Sequence, residues 1–457
     1  MMSGFHVSVI MPCFNAEAFI VEAINSILNQ SLLNLELIII NDGSTDGTEM
    51  LVQKFTDSRI RYLSFDVNRG NYVARNKGLD IVQGKYIAMA DADDVSHPNR
   101  LQTQYDYLEA NPSVAAIGSR MEIIDQGGKS IGVTNEPLEY DEIKIAFLRD
   151  NCLAQPTLMF RRNLLKKGYR YDESFRYCGD YDFVQRIIQS NHVANLESAL
   201  VKYRIHPTQI SSSKRGHLIQ QGNRTRIKQL NDWNLEYSEV EKEIQLKLLL
   251  GIYLDDTELK LAENWLNKLL EHNENTKRYH QEYFYIYCQK LASAALQKNA
   301  LGGWSIEKEM LNYIMKTFPT AKILLEFGSG NGTFAFLKHF SVTSIEHDPY
   351  YSMKRASNHN CVVAPIENGW YRGSVVKEAL ETTEYDLILV DGPPGDLRTG
   401  ILDHVGLFTQ ITCPIIFDDM DREDDCTIMK TFCKALDRRY RIFKGDKKSF
   451  ALCTLIQ

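Results

Sequence analysis

The chain has 457 residues, of which 44% are hydrophobic and 24% charged, with a formal net charge of −7. It is too long for one ordinary core, so two or three domains are expected. The negative balance excludes a nucleic-acid binder that relies on a global positive field. In chain order, His6 to Pro12 is a short apolar strand, and Asn15 to Asn29 carries Phe19, Ile20, Ala23, Ile24, Ile27 and Leu28 on one helical face. Leu35 to Ile40 is a second strand, followed by the turn Asn41-Asp42-Gly43-Ser44-Thr45-Asp46-Gly47-Thr48 and a helix starting near Thr45. Ile60 to Phe65 is a third strand, Asn71 to Val82 a helix, and Tyr86 to Ala90 a fourth strand. Strands of continuous apolar character alternating with helices indicate an α/β fold with a parallel sheet buried on both faces.

The fourth strand runs into Asp91-Ala92-Asp93-Asp94. Ligands bind at that edge of open α/β sheets, and two acids one residue apart on a loop can hold Mg²⁺ or Mn²⁺ against a phosphate. The alternative is that Asp94 and Ser96 cap a helix with Pro98 at its first position.

Four segments in order carry a specific likeness: Val9-Ile10-Met11-Pro12-Cys13-Phe14-Asn15, Asn41-Asp42-Gly43-Ser44-Thr45-Asp46, Asn68-Arg69-Gly70 with Ala74-Arg75-Asn76-Lys77-Gly78, and Asp91-Ala92-Asp93-Asp94. Over about the first 210 residues the chain resembles family 2 glycosyltransferases of GT-A fold. The resemblance implies an inverting transfer from a nucleotide sugar, a UDP-sugar above all, with Pro12, Asn15, Asp42, Arg75, Asp91 and Ala92 at the donor. Asp42 would accept from the ring N–H of a uracil-type base, Asp91 would contact the ribose, and Asp93 would bind a divalent cation, Mn or Mg, bridging the diphosphate. Arg75 would contact the diphosphate or hold the Asp91 loop.

Farther on, Tyr177-Cys178-Gly179-Asp180-Tyr181-Asp182-Phe183 stands where the family usually has Glu-Asp before an aromatic, the Asp being the general base. Asp180 matches that base, and Gly179 replaces the usual Glu. Tyr203-Arg204-Ile205-His206-Pro207-Thr208-Gln209-Ile210-Ser211 resembles the segment closing the catalytic unit, with His206 near the cation. Helix capping by Asp42 and Asp180, a solvated Arg75 and a structural His206 remain the alternatives. The Gln-x-x-Arg-Trp signature of processive synthases is absent, so one sugar per encounter is expected.

The first domain is therefore drawn at 1–213, a helical region at 214–304 and a last domain at 305–457. The helical region includes a basic segment, Lys214, Arg215, Arg224, Arg226 and Lys228, either a solvated face or an approach to anionic lipid headgroups or a lipid diphosphate acceptor. Leu246 to Leu254, Leu259 to Leu270 and Tyr279 to Leu296 have helical spacing. In the last domain, Ile323 to Phe327 is a strand, Gly328-Ser329-Gly330-Asn331-Gly332-Thr333 a glycine-rich turn into a helix from Phe334 to Phe340, and Val342 to Ile345 a strand ending in Glu346-His347-Asp348. Cys361 to Ala364, Asp386 to Asp391, Pro414 to Asp418, Tyr440 to Phe443 and Phe450 to Leu455 bring the strands to seven, the last two joined by a turn near Gly445-Asp446.

With Leu389-Val390-Asp391-Gly392-Pro393-Pro394-Gly395, this arrangement resembles class I S-adenosylmethionine-dependent methyltransferases, a Rossmann-like fold. That resemblance implies S-adenosylmethionine contacts at Glu326, Gly328, Gly330, Glu346, Ile366 and Asp391, the adenine lying near Ala364 to Ile366. Asp391, Asp418 and Asp419 end neighbouring strands and are either a Mg²⁺ site or helix caps. The expectation is a bifunctional enzyme that adds a sugar to a glycan or lipid-linked acceptor and methylates the glycan. The alternative keeps the last domain as a non-catalytic binding or assembly module. Singly scattered cysteines and the lack of a signal peptide or an apolar run of roughly 20 residues point to the cytoplasm, with any membrane contact peripheral and at the inner face.

Overall fold

A computed structural model of the chain describes residues 5–206, 209, 215–252, 254–299, 306, 308–347, 357–393, 395–445 and 448–456. Pro207, Thr208, Ile210, Ser211, Lys214, Asp348, Pro394 and Asp446, singled out above, lie outside the described residues. The chain divides into two compact units, Met1–Leu250 with Leu261–Ala292, and Gly251–Lys260 with Ser293–Gln457. Most of the helical region expected between 214 and 304 therefore falls in the first unit.

Continuous runs of Val, Ile and Leu make the first strands: β1 Val7–Cys13 and β2 Leu35–Asn41 are buried along their whole length. With β3 Ile60–Ser64 and β4 Tyr86–Met89 they form the parallel part of the sheet, ordered β3-β2-β1-β4. Alternate β1 residues go to opposite cores, as a period of two requires. Val7, Val9 and Met11 pack with Ile20, Ile24 and Ile27 of α1, Ile20–Leu28. Ile10 joins Ile87, Phe160 and Phe183 on the other side.

Beyond β4 the sheet is mixed rather than parallel. It continues through β8 Met159–Arg161, β6 Val114–Ile124 and β9 His192–Arg204 to the short β5 Val95–Ser96. β8 runs antiparallel to both β4 and β6, and β7 Ser130–Val133 pairs with β6, for nine strands among the described residues.

Two helix starts differ from expectation. The helix after the acids, α4 Arg100–Ala110, begins two residues beyond Pro98, because Ser96 is drawn into β5 against Val201. The helix after the second strand, α2, begins at Thr48 rather than near Thr45. Asp46 Oδ1 accepts from Thr48 N at 3.0 Å and from Thr48 Oγ1 at 2.6 Å, so the acid bonded to that helix start is Asp46 and not Asp42. Between β3 and β4 lies α3, Asn71–Leu79; α5 Tyr140–Ala146 and α6 Asn163–Lys166 come later, and α7 is Gly179–Ile188.

Four helices follow, at Arg215–Asp232, Glu239–Leu250, Asp256–Thr276 and Gln281–Asn299. Three basic residues of the first of these have partners within the unit. Lys228 Nζ meets Asp182 Oδ1 at 2.7 Å, Arg226 Nε donates to Arg149 O at 2.7 Å, and Arg224 lies over the Phe175 ring at 4.0 Å. Those three side chains serve the unit's own packing. Among the described residues no helix is long and apolar enough to cross a membrane.

The second unit contains the seven-stranded sheet. Its strands are β10 Ile323–Phe327, β11 Ser341–Glu346, β12 His359–Val363, β15 Leu387–Val390, β16 Ile415–Phe417, β17 Arg438–Lys444 and β18 Ser449–Leu455. The order is β12-β11-β10-β15-β16-β18-β17, parallel except for β18, which is antiparallel to both neighbours. A separate hairpin pairs β13 Ile366–Glu367 with β14 Trp370–Tyr371. The glycine-rich turn leads into its helix earlier than expected, at Asn331–Leu337.

One buried side chain fixes the edge where the first unit's acids stand. Arg100 donates from Nη2 to Met89 O at 2.7 Å, from Nη1 to Ser96 Oγ at 3.0 Å and from Nε to Gln104 Oε1 at 3.2 Å. It thereby ties the end of β4 to β5 across the acidic loop. Arg100→Met keeps the stem and leaves those acceptors bare, so it should destabilise the first unit by about 2–4 kcal/mol. Thermal unfolding of the full chain measures it as a lowered midpoint.

Candidate active site

Asp42 follows β2, where its buried carboxylate receives two backbone donors. Arg69 N lies 2.7 Å from Oδ1 and Gly70 N 2.9 Å from Oδ2. It therefore organises the Asn68-Arg69-Gly70 loop rather than capping a helix. Remaining lone pairs on the two oxygens leave room for another donor. Asn15, with φ of 51°, accepts from Thr45 N at 2.8 Å through Oδ1, and its own N–H reaches Ser44 Oγ at 3.0 Å. Pro12 is paired inside the sheet with Ile40.

Arg75 is buried on α3, with 1% exposure, which rules out a solvated surface role. Its Nη2 forms an ion pair with Asp91 Oδ1. Ala92 is buried and Asp93 half-buried. Asp93 Oδ2 lies 3.1 Å from His206 Nε2, so the closing segment of the domain comes back to the acidic loop. Burial and the neighbouring Asp91 charge raise the Asp93 carboxyl, opposed by His206.

Asp94 plays a supporting part. Its Oδ1 accepts from Arg204 N at 2.9 Å. Arg204 in turn donates from Nε to Asp93 O at 3.0 Å and from Nη2 to Glu22 Oε2 at 2.7 Å.

Asp180 stands in the first turn of α7, and both of its oxygens accept from side chains rather than capping the helix. Tyr72 Oη donates to Oδ1 at 3.1 Å, and Asn151 Nδ2 to Oδ2 at 2.8 Å. Burial raises its carboxyl above the ordinary carboxylate range, while those two donors and the Arg75 charge pull it down. Tyr72 and Arg75 lie one turn apart on α3. The helix thus connects Asp180 to Asp91, and the loop carries on to Asp93 and His206.

Two members of this set were missed in the sequence, Tyr72 and Asn151. Spacing on a predicted helix puts Tyr72 on the Arg75 side, which was a usable signal. No local pattern marks Asn151.

In the second unit, Gly328 follows β10 with φ of 92° and faces Gly392, which follows β15. A Cβ on Gly392 would lie 2.6 Å from Tyr371 Oη and 2.9 Å from Gly328 Cα. The strand order departs in opposite directions from this pair of strands, which is where doubly wound sheets open a crevice. Tyr371 Oη and Trp370 Nε1 are buried there without a hydrogen-bond partner. Glu326 Oε1 accepts from Thr333 Oγ1 and Ser344 Oγ, both at 2.5 Å. Glu346 Oε2 accepts from Ser329 N at 2.8 Å, pinning the glycine-rich turn that carries Gly330. Ile366 stands in β13.

The acids at the other strand ends depart from the expected metal site. Arg398 lies among them, with Nη2 3.4 Å from Asp391 Oδ1 and 3.5 Å from Asp419 Oδ2, and Nη1 3.4 Å from Asp425 Oδ2. Lys448 Nζ meets Asp418 Oδ2 at 2.6 Å and Asp419 Oδ1 at 3.3 Å. Positive charge among Asp391, Asp418 and Asp419 thus comes from the chain itself, and the described residues hold no group of three or more acidic, histidine or cysteine ligands. The capping alternative fails as well, since these carboxylates pair with cations. Burial, then the Asp418 charge, push Asp391 up to about 8.

Arg398→Met should destabilise the second unit by about 1–2 kcal/mol, because Asp391 loses its cation while Lys448 and Arg422 still meet Asp419 and Asp425. The loss should be larger at pH 8 than at pH 5.5, because protonation relieves the bare Asp391 carboxylate as the pH falls. Thermal midpoints at the two values measure the difference.

Comparison with known proteins bears on the first unit. The family model described as Glycosyl transferase family 2 matches residues 8–169. A Haemophilus influenzae protein named as an uncharacterized glycosyltransferase is 37% identical over 217 residues, 45% of this chain and 67% of its own length. The Escherichia coli UDP-Glc:alpha-D-GlcNAc-diphosphoundecaprenol beta-1,3-glucosyltransferase WfgD is 31% identical over 216 residues, 47% of this chain and 82% of that protein. Among solved structures, S. aureus TarS aligns with a TM-score of 0.43 at 18% identity, covering 65% of this chain and 56% of that one. By the family model and by the identity and coverage of the two sequence relatives, the chain belongs to glycosyltransferase family 2.

Proposed function

We propose that the first unit transfers a single sugar, with inversion, from a UDP-sugar to a lipid-linked or glycan acceptor. We propose further that the second unit binds S-adenosylmethionine and methylates the glycan. The observation that carries the first part is the continuous set Asp180, Tyr72, Arg75, Asp91, Asp93 and His206, gathered at one edge of the sheet. A family relative named for transfer from UDP-Glc to a diphosphoundecaprenol-linked sugar supports the donor and acceptor classes.

Each residue then has one task. Asp42, held by the Arg69 and Gly70 N–H groups, accepts from the base ring N–H. Asp91, oriented by Arg75, presents its other oxygen to the ribose. Asp93 and His206 supply one carboxylate and one imidazole, a donor set that suits Mn²⁺ or Mg²⁺ when diphosphate and water complete the shell. A cation held there would neutralise charge gathering on the departing diphosphate. Asp180, raised by burial, takes the proton from the acceptor hydroxyl on the face opposite the leaving group.

In the second unit, the buried Tyr371 hydroxyl, without a hydrogen-bond partner among the described residues, and Glu346 at the end of β11 are the groups that would meet a cofactor's polar edges. S-adenosylmethionine would supply the methyl group. A second reading, a binding module without catalysis, is favoured by Glu326 and Glu346 already accepting hydrogen bonds from their own chain. Carrying both units on one chain raises the effective concentration of the methylating site for the product of the first.

A panel of UDP-, GDP- and dTDP-sugars incubated with the chain and Mn²⁺ should show consumption of a UDP-sugar. EDTA should stop it and added Mn²⁺ restore it; indifference to EDTA would refute the cation. Asp93→Asn should lower transfer at least 100-fold.

For the second unit, calorimetric titration with S-adenosylmethionine should show binding, and to the same extent in the Asp93→Asn variant. Absence of heat would remove the methyl-transfer reading, and loss of binding in the variant would mean that the two units share one site.

A further inference from the structure

Gly179 occupies the position where the family resemblance expects a glutamate, and the structure shows what fills the space. A Cβ built on Gly179 would lie 2.7 Å from Cε2, 2.8 Å from Cδ2 and 2.9 Å from Cζ of Tyr72. An aromatic ring from another element is thus packed directly on the bare backbone. Tyr72 is stacked on Tyr171, with ring centroids 5.6 Å apart and planes 19° apart. Tyr171 is stacked in turn on Phe183 of α7 at 4.2 Å and 20°. The ring is therefore clamped to the same helix that carries Asp180. Its hydroxyl donates to Asp180 Oδ1 at 3.1 Å, and burial keeps that hydroxyl protonated far above neutral pH.

We infer that Tyr72 is the positioning residue for the base on the acceptor side, its hydroxyl orienting the Asp180 carboxylate in place of the side chain that position 179 lacks. Bare backbone at 179 is what admits the ring. This rests on the reading of Asp180 as the base. The other groups facing Asp180 are Arg75 on α3, Tyr171 from the preceding loop, Cys178 beside it in sequence and the neutral Asn151 amide. Of these only Tyr72 and Asn151 are its side-chain hydrogen-bond donors.

Removing the Tyr72 hydroxyl withdraws a donor from the ionised carboxylate. The charged form is then less favoured, and Asp180 must reach a higher pH to act as a base. The test is turnover of UDP-glucose, UDP-galactose and UDP-N-acetylglucosamine with water as acceptor, read as UDP release between pH 5 and 9. In Tyr72→Phe the acid limb of kcat should move up by about one pH unit, so that the rate at any pH well down that limb falls about tenfold. KM for the nucleotide sugar should stay unchanged. Gly179→Ala, which pushes the ring off its seat, should shift the limb in the same direction but add nothing to Tyr72→Phe.

An unmoved acid limb in Tyr72→Phe, with the ring and its stacking intact, overturns the inference. Asp180→Asn separates the two levels. If it retains turnover and the acid limb, the assignment of the base fails. If it abolishes them while Tyr72→Phe leaves the limb in place, only the role of Tyr72 fails.

Discussion

The first unit depends on one guanidinium sealed beneath the edge of its sheet. Arg75 is 1% exposed and is committed to Asp91. A buried charge pair is costly to assemble and more costly to break, because removing either partner strands the other in a poor solvent. Such a pair therefore specifies position more than it adds stability. Here it fixes the loop from Asp91 to Asp94 against α3. One turn earlier the same helix carries Tyr72 to Asp180. A single short helix thus sets the distance between Asp91 and Asp180.

Both units collect acids at the carboxyl ends of parallel strands, yet they treat them differently. In the first, cationic partners are given to Asp91 by Arg75, while Asp93 is met by a histidine whose charge depends on its surroundings. In the second, Arg398 and Lys448 reach Asp391, Asp418 and Asp419 directly. An edge already neutralised by its own side chains has little electrostatic demand for a metal ion. Beside it Gly328 and Gly392 pack directly on one another, and the buried Tyr371 hydroxyl next to Gly392 has no hydrogen-bond partner among the described residues.

Much of this was legible in the residues because periodicity and turn chemistry are local. Runs such as Leu37-Ile38-Ile39-Ile40 can only be buried strands, and the acids that end them fall at the sheet edge whatever the details of packing. The seven strands of the second unit's main sheet could be read from apolar runs bounded by turns, whereas the short β13–β14 hairpin could not. What could not be read depends on tertiary contact. Ser96 had the look of a helix cap and instead joins β5, because a distant strand at Val201 was there to pair with it. Arg224, Arg226 and Lys228 read as a basic face, whereas their partners lie tens of residues away. Arg398 had no local signature at all.

The bonds of Arg204 bear on the order in which the molecule assembles. Its guanidinium reaches Glu22, 182 positions earlier in the chain, and the backbone of Asp93, 111 positions earlier. Closing loops of that length carries an entropic cost before any contact rewards it. During synthesis, the core around β1 to β4 can condense while the later strands are still being made. The acidic loop gains its last clamp only when the segment from Arg204 to His206 has emerged. The contacts that Arg204 makes with the acidic loop are therefore late events in the folding of the sheet, and a nascent chain released before that point would lack them.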